Sequence, residues 1–328
     1  MATKIRIATF NVENLDDKEN QTPSLDDRIA IMRPQLIRLD ADILCLQEVH
    51  GQETPGEPRR LLALNNLLEN TPYSEYGQVS TMTADGAQVY DERNLVILSR
   101  FEIAEHRQYR HDIIQPPYYQ KVMSIPADDE ANRITWERPI LHASINLPDN
   151  RTAHIINLHL KSRIPSNING QKINSYTWRT ASGWAEGYFL SSMKRVGQAL
   201  ETRVLIDQIF DYNDQALIIV CGDFNSTSDN VPVQAIRGDV ENTGNGDLAE
   251  RVLVPCEQTI PESSRFSLLH QGRGEMLDHL MVSRQLLAYY DHTEIHNEIL
   301  HDESIAFATD KLYPESDHAP VIAEFTLP

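Results

Sequence analysis

Six short polar strings end or interrupt apolar runs in this 328-residue chain. Asn11 and Glu13 close the run IRIATF, and Gln47 and Glu48 break ILCLQEV. Asn157 and His159 alternate with apolar residues in HIINLHL, while Asp223 and Asn225 follow ALIIVCG. Asp278 and His279 sit in MLDHLMV, and Asp317 and His318 in SDHAP. A carboxylate at the end of a buried strand costs free energy unless it is paired, hydrogen-bonded or metal-bound. If these strand ends share one rim, they make an oxygen-rich, anionic pocket. Asn, Asp and Glu oxygens select a hard cation, so Mg²⁺ is expected, with Mn²⁺ or Ca²⁺ as substitutes. No cysteine joins the set and no HExxH spacing occurs, which argues against zinc.

The elements that must position these residues are legible as periodicities. Ile5–Phe10, Ile43–Val49, Leu95–Leu98, Ile140–Leu147, His154–Leu160, Ala216–Val220, Phe266–Leu269, Leu280–Val282 and Val321–Leu327 read as strands. Ser24 reads as the N-cap of a helix carrying Ile29, Met32, Leu36 and Leu39. Leu61, Leu64, Leu67 and Leu68 mark a second helix. Ser191–Tyr212 is the clearest, with Val196, Ala199, Leu200, Val204 and Ile206–Phe210 on its apolar side. In HIINLHL, alternation sets Asn157 and His159 on one face and Leu158 and Leu160 on the other. Arg107–Glu137, Ser162–Leu190 and Gly238–Ser264 are less regular and long enough to be functional loops. No linker or repeat interrupts the chain, so residues 1–328 are expected to form one domain. Many strands with few strict βαβ alternations suggest two packed sheets under outer helices.

Composition narrows the class. Apolar residues make up 41% and charged residues 23%, as in ordinary globular proteins rather than disordered or disulfide-rich ones. Cys45, Cys221 and Cys256 are too few and scattered for a disulfide framework, and buried free thiols are expected. No run reaches the ~18 apolar residues of a membrane helix. No apolar signal region precedes the first strand, which favours the cytoplasm, or secretion if a leader has been removed. The net charge of −19 argues against non-specific coating of nucleic acid. No obligate protein partner is evident.

The six strings, TFNVENL, LQE, NLHL, GDFN, LDH and SDH, each at a strand end and in this order, resemble the endonuclease/exonuclease/phosphatase superfamily, the deoxyribonuclease-I-like fold. The resemblance implies a four-layered α/β sandwich, two mixed sheets flanked by helices, with the site at one edge of the sheets. It implies a cation held by Asn11 and Glu48, with Asp317 a further contributor. Asp223 would orient or deprotonate the attacking water, and Asn225 would hold phosphate oxygens or a second cation. His318 resembles the active-site histidine with Asp278 fixing its tautomer, and His159 the other phosphate-facing histidine. The role of Glu13, where some relatives carry Asp, stays open. So do the water's proton acceptor, His318 or Asp223, and the number of cations.

The stretch from Lys161 to Arg195 holds six basic residues and one acidic, interleaved with Tyr176, Trp178, Trp184, Tyr188 and Phe189. Cations among aromatics suit a phosphate backbone and stacked bases. Lys161, Arg163, Trp178, Arg179 and Arg195 are therefore expected to contact substrate, and a basic, aromatic insert is expected at about 162–190. The leading reading is a Mg²⁺-dependent nuclease acting on DNA or RNA. The alternative is a phosphatase or phosphodiesterase for nucleotides, sugar phosphates or lipid headgroups.

Overall fold

Two six-stranded mixed sheets form the centre of the computed structural model, which describes residues 2–148, 150–309 and 311–328. The first sheet runs Tyr290–Ile295, Val321–Leu327, Thr3–Leu15, Ile43–Val49, Asn94–Ser99, Gly77–Ser80. The second runs Leu253–Pro255, Asp278–Ser283, Leu217–Asp223, Thr152–His159, Ile140–Asn146, Ile103–Tyr109. Each sheet has one parallel pair at its middle, Thr3–Leu15 with Ile43–Val49 and Thr152–His159 with Leu217–Asp223. These four central strands carry Asn11, Glu48, His159 and Asp223 near their C-terminal ends.

Side-chain alternation divides the core into layers. Ile5, Ile7, Cys45 and Ile97 face Leu141, Ile155, Ile219 and Cys221 between the sheets. The opposite faces of the same strands are covered by helices. Phe10, Leu44 and Leu46 pack under Met32, Leu36, Leu39, Leu64 and Leu67. Ile156, Leu158, Ile218 and Val220 pack under Leu205, Ile206, Phe210, Val233 and Ile236. The result is the four-layered sandwich. All three cysteines are buried free thiols, as expected.

Ser24 caps the helix Leu25–Leu39 through a reciprocal capping box with Asp27. The long helix differs from expectation. It spans Ala181–Tyr212, starting ten residues earlier than the apolar pattern and inside the stretch read as a loop. Thr180 caps it by accepting from Gly183 N–H. Its first turns bury Gly183, Glu186 and Gly187, so no apolar stripe marks them. A Cβ at Gly187 would lie 2.4 Å from the Ser166 carbonyl oxygen, so this helix packs on the loop by its backbone. Val196 and Leu200, expected in the apolar side, are exposed; Arg195, Gln198, Glu201 and Thr202 are buried instead. The edge strands Ile103–Tyr109 and Tyr290–Ile295 lack apolar alternation and were not expected from the sequence.

Candidate active site

Strand geometry turns the polar residues into a common cleft. In Ile43–Val49, Cys45 and Gln47 face the other sheet; a register shift between Leu46 and Val49 then breaks the alternation. This β-bulge places Glu48 at φ +62° and aims it into the same space. Glu13, Asn14, Arg93 and Asn225 also have positive φ, so five site-lining or adjacent non-glycine residues are in left-handed backbone. Such strain persists only where surrounding structure enforces it. A buried network below supplies that enforcement. Gln47 Nε2 donates to Thr9 Oγ1 (3.0 Å) and Asn157 Oδ1 (2.7 Å), and Asn157 Nδ2 donates to the carbonyls of Leu46 and Val96. Arg28, buried in the first helix, donates to the carbonyls of Val12, Glu13 and Pro314.

Asp223 is the hub. Its Oδ2 accepts from Asn11 Nδ2 (3.2 Å) and Asn225 Nδ2 (3.0 Å), and its Oδ1 from Asn225 N–H (2.8 Å). His159 Nε2 stands 3.3 Å from Asp223 Oδ2 and 3.4 Å from Glu48 Oε1. On the far side, His318 Nδ1 donates to Asp278 Oδ2 at 2.6 Å. Asp278, wholly buried, is fixed by its own N–H donating to Ser267 Oγ. Glu48, Asp223, Asn225, His159 and His318 line a cleft of about 560 Å³. Gly222 precedes the hub at φ +133°, where a Cβ would meet the Leu158 carbonyl oxygen at 2.0 Å.

Burial and like charge set the protonation states. Burial, with the charge of Asp278 and Glu48, pushes Asp223 up to about 7, against the His318 cation. Burial and Asp317 raise Glu13 to about 8, and burial with Glu48 raises Asp317 to about 6. Burial and the Arg138 charge push His159 well below its ordinary value, so it is a neutral imidazole. Burial opposes charge on His318 too, but the Asp278 carboxylate overcomes it and holds His318 protonated.

A hard cation fits these donors. Carboxylate oxygens of Glu48 and Asp223 converge beside His159 Nε2, and Asp317 Oδ1 is buried without a hydrogen-bond partner. A cation there would offset the burial and like charge that raise the carboxyls of Glu13, Asp223 and Asp317.

The structure brings Asn11, Glu48, His159, Asp223, Asn225, Asp278, Asp317 and His318 to one rim. The five expected substrate contacts are dispersed. Arg163 lines the cleft and pairs with Glu275. Lys161 flanks it, its Nζ donating to Ser162 Oγ, and burial lowers its ammonium to about 8. Arg195 is buried and donates to the Lys161 and Ser162 carbonyls, which shape the loop after His159. Trp178 packs with Ile134, Ile168 and Leu190, and Arg179 donates to the Gly170 carbonyl, both away from the cleft lining. Two cleft arginines escaped the assigned set. Arg138 is buried and donates to the carbonyls of His159 and Leu160, and Arg93 lines the same wall. Each stands one or two residues before a strand, the one sequence signal they share.

Carboxylates able to hold a cation, a protonated histidine–aspartate pair and an arginine wall around one cleft define a phosphoester hydrolase on a two-sheet sandwich. Residues 8–318 match the Endonuclease/Exonuclease/phosphatase family, and the chain belongs to it. Solved structures share the fold. A family protein from Bacteroides thetaiotaomicron is 14% identical (TM-score 0.59), with 100% of this chain and 96% of that one covered. A mannosyl-6-phosphatase from the same organism is 14% identical (TM-score 0.58; 99% and 100% covered). The 3′ phosphatase NExo from Neisseria, bound to a product DNA hairpin, is 16% identical (TM-score 0.52; 98% and 99% covered). Comparison with curated proteins found no significant match. Among the described residues, no helix is long and apolar enough to cross a membrane.

Proposed function

We propose that the protein is a Mg²⁺-dependent phosphodiesterase that cleaves nucleic acid. The observation that carries this reading is the lining of the cleft, where Arg93, Arg138 and Arg163 stand in the same space as Glu48, Asp223 and His318. A phosphodiester bound there meets arginines with its non-bridging oxygens while its phosphorus faces Asp223 and Glu48. Asn11, Glu48 and Asp317 would hold the cation, with Mn²⁺ or Ca²⁺ as substitutes. When bound, it supplies Lewis-acid stabilisation of charge developing on phosphate oxygens. Asp223 orients the attacking water and, ionised, accepts its proton. Asn225, whose amide donates to Asp223 Oδ2 and to the Leu160 carbonyl, holds Asp223 in place. Protonated His318, fixed by Asp278, and Arg138 stabilise the pentavalent transition state. Neutral His159 donates through its imidazole N–H.

The test is hydrolysis by purified protein with Mg²⁺ of plasmid, single-stranded DNA and RNA, beside mannose 6-phosphate, nucleotides and inositol phosphates. Cleavage of a nucleic acid, lost in EDTA and in Asp223→Ala, supports the reading. Turnover of the small phosphoesters alone overturns the nuclease half and leaves the phosphoester chemistry.

A further inference from the structure

A second cleft, of about 530 Å³, lies beside the first and shares Glu303 with it. It is lined by Glu13, Asp317, His301, Leu312, Tyr176 and Phe307. The chain crosses from one cleft to the other between consecutive residues, Asp317 lining the second and His318 the first. Whatever occupies both passes directly over the catalytic acids.

The two clefts differ in chemistry. Three arginines line the first beside four acidic residues, while among the described residues no Lys or Arg lines the second. The second has acids on its floor and two aromatic rings at its mouth. Tyr176 comes from the insert and Phe307 from the helix Glu303–Thr309. Their rings meet edge to face at 5.4 Å, yet Tyr176 is 77% and Phe307 72% exposed. Two rings present that much apolar surface to water beside a polar cleft, with no apolar cover of their own. With no Lys or Arg in its lining, this cleft offers a phosphate no cationic partner, and Glu303 repels it. A flat uncharged group with N–H donors suits the lining: its edge donates to the carboxyl oxygens and its face stacks on the rings.

We infer that this second cleft is a base-binding subsite, in which Tyr176 and Phe307 stack on the nucleobase next to the phosphate held by the arginines. The inference rests on the nuclease reading and deepens it. The phosphate backbone takes the cleft that holds the arginines, and an adjoining base takes the aromatic one, which has none. Recognition by stacking is sequence-tolerant, because every base has a π-face.

The test uses single-stranded deoxyoligonucleotides with a tetrahydrofuran abasic residue placed in turn at each position flanking the cleaved phosphate. With Mg²⁺ and wild-type protein, one position is expected to raise KM about tenfold when its base is missing. In the double variant Tyr176→Ala/Phe307→Ala the ratio of abasic to intact KM at that position should collapse to about one. Tyr176→Phe/Phe307→Tyr should restore it. A wild-type ratio near one at every position, or a ratio that survives the double alanine variant, overturns the subsite while the nuclease reading stands. If no oligonucleotide is cut, the reading fails and the subsite with it. Discrimination of a sugar ring in mannose 6-phosphate, with none of a base, also overturns it.

Discussion

At the scale of single residues, the site is set by which charges are buried together. Asp278, at 2.6 Å and out of water, does most among the neighbouring carboxylates to hold His318 protonated. Asp278→Asn keeps the shape but removes that charge and the tautomer control. Turnover is expected to fall on the order of 10²–10⁴-fold, with the alkaline limb of the rate profile moving to lower pH. A pH series of initial rates reads both. The raised carboxylates carry a second consequence. Glu13, Asp223 and Asp317, with folded values near 8, 7 and 6, bind protons more tightly folded than unfolded. Their contribution to stability is therefore present at pH 4 and lost as pH rises through 6–8. In EDTA, Tm is expected to decline over that window, and Mg²⁺ should raise Tm more at pH 8 than at pH 5. Thermal melts with and without metal check this, and an equal Mg²⁺ effect at both values contradicts the assignment.

At the scale of elements, the strand ends hold the chemistry only because their backbones are forced into uncommon shapes. Gly222, in left-handed backbone against the Leu158 carbonyl, lets the central strand carry Asp223 against the strand that ends in His159. Gly222→Ala is expected to cost on the order of 3–5 kcal/mol in urea denaturation, or to prevent folding. Arg195 does a comparable job between the long helix and the loop after His159. Its truncation to alanine leaves two carbonyls without their charged donor. A loss of about 2 kcal/mol is expected, with KM rising more than kcat falls, and steady-state kinetics separate the two. The basic insert is thus divided: Arg163 and Lys161 face or flank the cleft, while Arg195, Trp178 and Arg179 build the frame that carries them.

At the scale of the molecule, a net charge of −19 opposes a polyanion, and the cleft arginines act against that repulsion. Association with nucleic acid then depends on a few cations working against a repelling body. With Arg93, Arg138 and Arg163 as the phosphate contacts, log(kcat/KM) on single-stranded DNA should fall with log[salt] at a slope of about −2. Rates from 50 to 300 mM KCl measure it. A flat profile would point instead to a compact phosphoester.

The sequence by itself determined the main strands and the polar residues at their ends, and its resemblance to the family implied the sandwich that joins them. Apolar runs of four to eight residues are local signals, and a polar residue breaking such a run is conspicuous because burial penalises it. Asn157 and His159 could be assigned to one face from alternation alone. Only tertiary structure decided what depends on packing between distant segments. The bulge that turns Glu48 inward follows from register with the neighbouring strand, not from its own residues. Arg138 and Arg28 become functional through the carbonyls that other segments present to them. The helix beginning at Ala181 buries glycines and an acid, so no hydrophobic period announces it. Tyr176 and Phe307 meet across more than a hundred residues of chain, and no local pattern encodes such a meeting.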